Sequence, residues 1–234
     1  AGLGTRLRPV TTDVPKCLVP VAGKPLLQIW LELLGSYGVE EALINTHYLP
    51  KKVQDFSESW SGVPKLHLSH ETNLLGSAGT LIRNWDFVAK EKSFLVCYAD
   101  NLTDINLNKL TWFHQRHRGL VTMTLFRSEK PKECGIAEMD NRGRIISFEE
   151  KPAVPKSSLA NGGIYLMRAG IRAYLPHRKP SDIGFDLLPR CLGQMYGWLW
   201  KGLLLDIGNP ETYWLAQKEW VARETKWESE SSGL

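Results

Sequence analysis

Apolar residues recur at helical spacing in one stretch and form strand-like runs in the next, and this exchange continues through the first half of the chain. Helical spacing covers residues 26–34, 50–56, 76–85 and 107–117. Short apolar or alternating runs, which are typical of strands, cover residues 42–46, 65–70, 93–98 and 121–126. This alternation predicts an α/β fold with a doubly wound, Rossmann-like and mainly parallel sheet. Ligands of such sheets bind beyond the carboxyl ends of the strands.

The second half of the chain has a different pattern. Residues 136–139 and 144–148 flank an Asp140-Asn141-Arg142-Gly143 turn and predict an antiparallel hairpin, so that the sheet as a whole is mixed. Further strands are predicted at 163–167, 195–200 and 203–205, with a helix at 182–190. Asn209, Pro210 and Glu211 supply the cap, the N1 proline and the early acid of a last helix.

Composition narrows the class of protein. With 234 residues, 43% of them hydrophobic, the chain is long enough for one large domain. No apolar run is long enough for a membrane span, and the net charge of +4 is spread among acids, so we expect neither a membrane nor a nucleic acid as partner. Small anionic ligands fit better. Four scattered cysteines without a C-x-x-C pair argue against zinc or a disulfide framework and favour reduced thiols in the cytoplasm: Cys17, Cys97, Cys134 and Cys191.

The first sixteen residues combine a glycine-rich turn with fixed cations. Gly2 and Gly4 allow backbone N–H groups to approach phosphate oxygens, and Arg6 and Lys16 add full positive charges. The segment therefore predicts a phosphate-binding loop. Such a loop normally follows a buried strand, so we expect a strand before Ala1 that is missing from the sequence.

Two aspartates follow predicted strands. Asp100 comes after the run 93–98, and Asp206 ends Leu203-Leu204-Leu205-Asp206. Mg²⁺ prefers hard oxygen ligands, and one or two carboxylates together with substrate phosphates suffice. By position alone each aspartate fits a turn cap equally well. His114 and His117 lie three residues apart without an adjacent carboxylate or cysteine, so they are expected to pack against the fold rather than to bind metal.

The motifs taken together resemble the sugar-1-phosphate nucleotidyltransferases (nucleotide-sugar pyrophosphorylases), and they occur in the family's order across nearly the whole chain. They are Gly2-Leu3-Gly4-Thr5-Arg6-Leu7-Arg8-Pro9, Pro15-Lys16, Glu71 with Leu75-Gly76-Ser77-Ala78-Gly79, Asp100, Phe148-Glu149-Glu150-Lys151-Pro152, Asn161-Gly162-Gly163, and Asp206-Ile207-Gly208-Asn209-Pro210-Glu211. The resemblance implies the nucleotide-diphospho-sugar transferase fold as a single domain over residues 1–234. Residues from 1 to about 127 would bind nucleotide, and residues from about 128 to 234 would bind sugar and extend the sheet.

The resemblance also implies a reaction. An oxygen of a sugar 1-phosphate attacks the α-phosphorus of a nucleoside triphosphate, pyrophosphate leaves, and no covalent enzyme intermediate forms. Transfers of this kind depend mainly on alignment and on charge stabilisation, which agrees with the many cations and few candidate bases.

Matching the motifs residue by residue assigns a role to each site residue. The catalytic cations are Arg6, Lys16 and Lys151; the nucleotide-binding residues are Gly2, Leu3, Gly4, Thr5, Glu71, Gly76 and Ser77; the sugar-phosphate-binding residues are Gly135, Glu150, Lys151, Asn161 and Gly162; and the ligands of Mg²⁺ are Asp100 and Asp206. The helix start after Gly76 is expected to offer N–H donors to the nucleotide. Lys151 would act as a point charge on the sugar phosphate, and Glu150 would accept from a hydroxyl.

The choice of substrates stays open at this stage. The short chain resembles the compact bacterial members, which favours GTP with mannose or heptose 1-phosphate. UTP or dTTP with a hexose 1-phosphate is the nearest alternative, and a choline-phosphate cytidylyltransferase fits less well. A non-catalytic regulatory subunit that binds nucleotide-sugar is an alternative of another class, and the sequence leaves self-association into a homo-oligomer open. Ala99 stands where the family commonly has Gly, and Cys134 and Ser77 also depart from it.

Overall fold

The computed structural model describes residues 2–177 and 180–231, with side chains of the last helix described as far as Arg223. Ala1, and the strand expected before it, lie outside the described residues. The chain divides into two compact units. Unit 1 comprises Ala1–Thr72, Ala99–Asp104 and Leu205–Leu234, and unit 2 comprises Asn73–Tyr98 and Ile105–Leu204.

The elements follow the predicted order closely. The strands are β1 (Pro20–Val21), β2 (Lys24–Pro25), β3 (Glu41–Thr46), β4 (Lys65–His70), β5 (Ser93–Cys97), β6 (Asn101–Thr103), β7 (Val121–Arg127), β8 (Gly135–Met139), β9 (Ile145–Glu150), β10 (Leu159–Arg168), β11 (Met195–Leu199) and β12 (Leu204–Asp206). The α-helices are α1 (Leu26–Ser36), α2 (Pro50–Ser59), α3 (Ser77–Arg83), α4 (Trp85–Val88), α5 (Leu107–Gln115) and α6 (Pro210–Ser231). Short 3₁₀ turns cover Thr5–Leu7, Lys16–Leu18, Pro131–Glu133, Ala169–Tyr174 and Leu188–Cys191, and a π turn covers Ile183–Leu187.

Unit 1 contains the parallel pair β3–β4, in register from Glu41 opposite Lys65 to Thr46 opposite His70. The apolar faces of α1 and α2 form a small core, whose buried members are Leu27, Leu31 and Val53. The last helix is tied back to the β1–β2 turn, because the Tyr213 hydroxyl donates to the Pro20 carbonyl at 2.9 Å. No helix within the described ranges combines the length and the apolar character that crossing a membrane requires.

Unit 2 is built on a sheet of six strands in the order β11-β7-β10-β8-β9, with β5 also paired to β10. Strand β11 is parallel to β7. Strand β10 is antiparallel to β5, β7 and β8, so that β5, β7 and β11 run in the same direction. The core lies against this sheet and includes the fully buried side chains of Met123, Leu125 and Tyr165.

The α/β class and the mixed sheet are confirmed. Parallel pairing in unit 2 is less extensive than predicted, because β10 runs against each of its partners. The antiparallel hairpin of β8 and β9 is also confirmed. The prediction of an α-helix at 182–190 is wrong, because this segment forms a π turn followed by a 3₁₀ turn. Pro189 has no N–H to donate, so an α-helical ladder cannot continue through it.

His114 and His117 pack inside unit 2. His114 is 1% exposed, its Nδ1 lies 2.7 Å from the Thr122 hydroxyl, and His117 Nε2 lies 2.8 Å from the same oxygen. Arg168 donates to the main-chain carbonyls of both histidines, each at 2.7 Å. Burial, followed by the charge of Arg168, lowers the pKa of His114 from 6.5 to about 3 and that of His117 to about 4. Both rings are therefore neutral in the native protein at pH 7.

Replacing His114 by Leu should lower the free energy of unfolding by about 0.5–1.5 kcal/mol at pH 8, because the hydrogen bond between His114 and the Thr122 hydroxyl is lost while His117 remains a partner of that hydroxyl. Below pH 6.5 the His114 ring is protonated in the unfolded chain, whereas in the native protein it stays neutral down to about pH 3. The contribution of His114 to stability is therefore complete above pH 6.5 and is lost as the pH falls toward about 3. Urea unfolding of both proteins between about pH 8 and 4.5 should show the difference shrinking with acidity. A constant difference would contradict this linkage.

Candidate active site

The glycine-rich loop is anchored on one side and open on the other. Gly4 has φ +63°, a left-handed conformation that glycine adopts without strain. The buried Thr11 hydroxyl donates to the Gly4 carbonyl at 2.7 Å, and the buried Leu7 side chain holds the following turn. Gly2, Leu3, Thr5 and Arg6 are exposed. The loop thus has exposed residues on both sides of Gly4, while the Gly4 carbonyl is fixed by Thr11.

Lys16, Asp100 and Asp206 form an ion cluster within unit 1. Lys16 Nζ lies 2.6 Å from Asp100 Oδ2 and 3.0 Å from Asp206 Oδ1. The lysine side chain is 15% exposed, whereas the carboxylates are 40% and 55% exposed. The pairing of β6 with β12 brings the aspartates together, and the Ile207 N–H donates to the Asp100 carbonyl at 3.1 Å. Two carboxylates therefore point at one cationic position and keep open faces.

Arg6 lies beside this cluster. A Cβ at Gly208 would be 2.9 Å from Asp206 Oδ2 and 3.0 Å from Arg6 Nη2, so the guanidinium and the carboxylate lie around the same point. Gly208 leaves that point free of side-chain atoms. The structure thus brings together Arg6, Lys16, Asp100 and Asp206, four residues that the sequence analysis assigned to leaving-group and metal roles.

Glu71 follows β4 directly and is 1% exposed. Its Oε1 accepts from Asn45 Nδ2 at 3.1 Å, its main-chain N–H donates to the Thr46 carbonyl at 2.8 Å, and its carbonyl lies 2.7 Å from His47 Nδ1. A buried carboxylate is costly to maintain unless hydrogen bonds support it. Glu71 is therefore a rigidly positioned acid at the carboxyl end of a strand of unit 1.

In unit 2, the predicted nucleotide residues Gly76 and Ser77 pack against residues 181–183. A Cβ at Gly76 would lie 2.2 Å from the Ser181 carbonyl oxygen, and that oxygen accepts from the Ala78 and Gly79 N–H groups at 3.0 and 3.1 Å. The prediction that the start of α3 offers N–H donors is therefore wrong for Ala78 and Gly79, whose N–H groups bind the Ser181 carbonyl. The Ser77 hydroxyl donates to Asp182 Oδ2 at 2.7 Å.

Asn161 and Gly162 lie in a β-bulge of β10, where the register with β7 shifts between Asn161 and Tyr165. Asn161 Oδ1 accepts from the Gly163 N–H at 3.0 Å, and its Nδ2 donates to the Tyr165 hydroxyl at 2.6 Å. A primary amide has two N–H donors, so one N–H of Asn161 has no hydrogen-bond partner among the described residues. Bulges of this kind re-aim side chains next to functional sites.

Glu150 ends β9 and is paired with Gly135 of β8. Its side chain is half-buried, and burial, followed by the charge of Asp182, raises the pKa of its carboxyl above the usual value. Lys151 is exposed and has φ +53°, which is uncommon for a residue with a side chain and turns the chain sharply at this point.

Four residues that support these groups were missed by the sequence analysis: Thr11, Tyr98, Tyr165 and Asp182. Thr11 holds Gly4, Asp182 holds Ser77, and the ring of Tyr98 contacts the ring of Tyr165 edge to face at 5.9 Å. An aspartate at the start of a predicted helix could have been identified as a cap. Nothing in the sequence indicated that it also binds Ser77, which lies 105 positions away.

A comparison with protein families matches residues 1–223 to the nucleotidyl transferase model. The chain belongs to this family. It is 31% identical over 97% of its length to the UTP–glucose-1-phosphate uridylyltransferase of Synechocystis sp., and 31% identical over 91% to the mannose-1-phosphate guanylyltransferase catalytic subunit beta of Dictyostelium discoideum. The chain spans 63% and 60% of the length of these two relatives.

Solved structures share the fold of this chain. HddC from Yersinia pseudotuberculosis, complexed with GMP-PN, superposes with a TM-score of 0.78 at 25% identity, covering 94% of this chain and 96% of that one. The apo UDP-glucose pyrophosphorylase structure superposes with a TM-score of 0.79 at 20% identity, covering 96% of each chain. The nucleotide-diphospho-sugar transferase fold of this chain is thereby confirmed.

Replacing Thr11 by Val should loosen the glycine-rich loop, because the variant keeps the buried shape but leaves the Gly4 carbonyl without this donor. The expected cost is about 1–2 kcal/mol in the free energy of unfolding, the worth of one buried hydrogen bond. Chemical denaturation measures this cost, and hydrogen exchange at the amides of residues 5–8 should show faster opening. Thr12→Val, at an exposed neighbouring position, is the matched control. Equal stability of the two variants would show that Thr11 does not anchor the loop.

Proposed function

We propose that this chain transfers a nucleotidyl group from a nucleoside triphosphate to a sugar 1-phosphate, with GTP and mannose or heptose 1-phosphate as the preferred pair. An oxygen of the sugar phosphate attacks the α-phosphorus, the bond between the α- and β-phosphates breaks, and pyrophosphate leaves. The observation that carries the proposal is the convergence of Lys16, Asp100 and Asp206 beside Arg6 in a chain of the nucleotidyl transferase family.

The cations of unit 1 suit the departure of pyrophosphate. The glycine-rich loop offers exposed backbone around Gly2 and Thr5, and Arg6 follows on the same turn. Fixed cations aimed at the atoms where negative charge develops are usually a large contribution to catalysis of phosphate transfer. We assign triphosphate binding to Gly2, Leu3, Gly4 and Thr5, and stabilisation of the leaving group to Arg6 and Lys16.

Asp100 and Asp206 suit a divalent metal. Both carboxylates approach the Lys16 ammonium within 3.0 Å, so their oxygens are close enough to bind one cation, and both stay partly exposed for substrate phosphates and water. Mg²⁺ commonly takes one or two carboxylates in this way. When bound, it would neutralise charge on the phosphate oxygens. The same two carboxylates attract Lys16, so metal and ammonium compete for them.

The polar residues of unit 2 suit a sugar phosphate. Asn161 retains one N–H, Glu150 has a half-buried carboxylate, and Lys151 is an exposed point charge. We assign sugar-phosphate binding to these three residues together with Gly135 and Gly162. We assign contacts with the base and ribose to Glu71 of unit 1 and to Gly76 and Ser77 of unit 2. Because the Ser77 hydroxyl is bound to Asp182, we assign the contacts of Gly76 and Ser77 mainly to their main-chain atoms.

The names of the relatives support two different nucleotide substrates. The mannose-1-phosphate guanylyltransferase and the GMP-PN complex favour GTP, whereas the uridylyltransferase favours UTP with glucose 1-phosphate. UTP or dTTP with a hexose 1-phosphate is therefore the alternative. A non-catalytic subunit would have no use for paired leaving-group cations and metal ligands, so their joint presence favours the enzyme.

Pyrophosphate release should be measured with Mg²⁺ for each nucleoside triphosphate, including dTTP, against a panel of sugar 1-phosphates. We expect one combination to dominate. Asp100→Asn should lower its turnover by roughly a hundredfold or more, because a metal ligand and a negative charge are lost. Asp55→Asn, which removes an exposed ion pair on α2, is the matched control. If no combination gives turnover, while wild type and Asp100→Asn both still bind nucleotide-sugar, the result would favour the regulatory subunit instead.

Lys16→Gln separates metal binding from catalysis. Without the competing ammonium, the two carboxylates should bind Mn²⁺ more tightly in the absence of nucleotide, by roughly tenfold or about 1.4 kcal/mol. Turnover should fall, because pyrophosphate loses its cation. Electron paramagnetic resonance of free Mn²⁺ measures the affinity, and Lys24→Gln, at a lysine paired with Glu32, is the control. Unchanged or weaker Mn²⁺ binding would show that metal and lysine do not share these carboxylates.

A further inference from the structure

The carboxylate of Glu150 lies in a slot between two glycines. A Cβ at Gly135 would be 2.4 Å from Glu150 Oε2, and a Cβ at Gly184 would be 2.4 Å from the same oxygen and 2.9 Å from Cδ. Real Cβ atoms do not approach other atoms so closely. Gly135 is the cross-strand partner of Glu150 in the β8–β9 hairpin, whereas Gly184 comes from the separate π turn of residues 183–187. The carboxylate can occupy this place only while both positions lack a side chain.

The turn that carries Gly184 is held firmly. Asp182 Oδ1 accepts from the Gly184 N–H at 2.7 Å and from the Phe185 N–H at 3.2 Å, while its Oδ2 accepts from the Ser77 hydroxyl at 2.7 Å. The Ile183 N–H donates in turn to the Ser77 hydroxyl oxygen at 2.8 Å. One aspartate therefore fixes the wall of the slot to the start of α3. Gly184 has little freedom to retreat from Glu150.

The carboxylate gains little from the protein in this slot. Within the part of the chain that the structure describes, no hydrogen bond ends on it. Burial and the like charge of Asp182 outweigh the nearby opposite charge of Lys151, so the pKa of the Glu150 carboxyl is raised. Neither carboxylate oxygen of Glu150 is fully buried, so both remain accessible to a ligand atom. A half-buried carboxylate with unused lone pairs is well prepared to accept from a hydroxyl group, because a hydrogen bond to a charged acceptor is stronger than one to a neutral acceptor.

We propose that Gly184, whose backbone Asp182 holds, is a positioning residue: because it has no side chain, Glu150 can reach the position from which it accepts a hydroxyl of the sugar. This inference rests on the proposed function, because it assumes that Glu150 faces a sugar 1-phosphate. Any side chain at 184 displaces the end of a flexible glutamate rather than backbone. The fold therefore tolerates the change, and the sugar hydroxyl loses its acceptor.

Gly184→Ala tests the assignment. We expect KM for the sugar 1-phosphate to rise by roughly ten- to a hundredfold, the worth of one hydrogen bond to a charged group, with KM for the nucleoside triphosphate unchanged. Gly170→Ala is the matched control, because a Cβ there meets only the end of the Leu120 side chain at 2.9 Å. Equal sugar KM values for the two variants would overturn the proposal, as would an equal rise in KM for both substrates.

A double-mutant cycle sharpens the test. In a Glu150→Gln background the Gly184→Ala change should add little to the sugar KM, because the charged acceptor that it displaces is already gone. Full additivity of the two effects would overturn the proposal, since it would mean that Gly184 acts independently of Glu150.

The position of Glu150 can be tested without turnover. Carbon-13 NMR titration of the Glu150 carboxyl should show its pKa falling toward the usual value in Gly184→Ala, because the group moves out of its buried place. Asp182→Asn should lower the same pKa by removing the like charge, while its side-chain oxygen still accepts from the turn. If the pKa of Glu150 is unchanged in both variants, Glu150 does not lie between Gly135 and Gly184 as described. If the pKa changes as expected but the wild-type protein shows no turnover, the proposed function is refuted while the placement of Glu150 stands.

Discussion

The ion cluster of Lys16 with Asp100 and Asp206 is the interaction on which unit 1 depends, because it joins all three stretches of chain from which that unit is assembled. The Lys16 side chain is only 15% exposed, so its charge is stable only with partners, and two carboxylates supply them. The bond from Trp30 Nε1 to the Asn101 carbonyl and the ion pair of Arg223 with Asp104 connect the same stretches. The charges that close this unit are thus the charges to which we assign chemistry.

This double use has an energetic consequence. As in a salt bridge, removing one charged group from the cluster leaves the other groups without their partner. A metal or a pyrophosphate that binds here must therefore replace the partner that it displaces. The two carboxylates would exchange one cation for another, and the ammonium would exchange carboxylates for phosphate. Each exchange conserves the pairing of charges. In the proposed reaction the cluster would therefore change partners without leaving the largely covered Lys16 ammonium unpaired.

Several glycines of the motifs accommodate the protein itself rather than a ligand. Gly76 gives room to the Ser181 carbonyl, and Gly135 and Gly184 give room to the Glu150 carboxylate. Gly4 adopts a left-handed conformation against the Thr11 side chain, whose nearest atom would lie 3.2 Å from an added Cβ. A glycine motif read as a ligand cradle can thus be a packing motif that positions the polar group behind it. A ligand would then meet that polar group as well as the main chain of the glycine.

The sequence by itself determined most of the elements and the family, because helical and strand periodicities and short motifs are local properties of the chain. It also identified Lys16, Asp100 and Asp206 as candidates, since each lies in a motif. Only the tertiary structure decided that these three side chains meet, that β10 runs against its neighbours, and that Ser181 already occupies the N–H groups at the start of α3. These outcomes depend on contacts between residues far apart in the sequence, from Leu159 opposite Arg127 in the sheet to Lys16 with Asp206, 190 positions away, and no local pattern records that they are close. Asp182 illustrates the limit, because its capping role follows from its own neighbours while its bond to Ser77 follows from the fold alone.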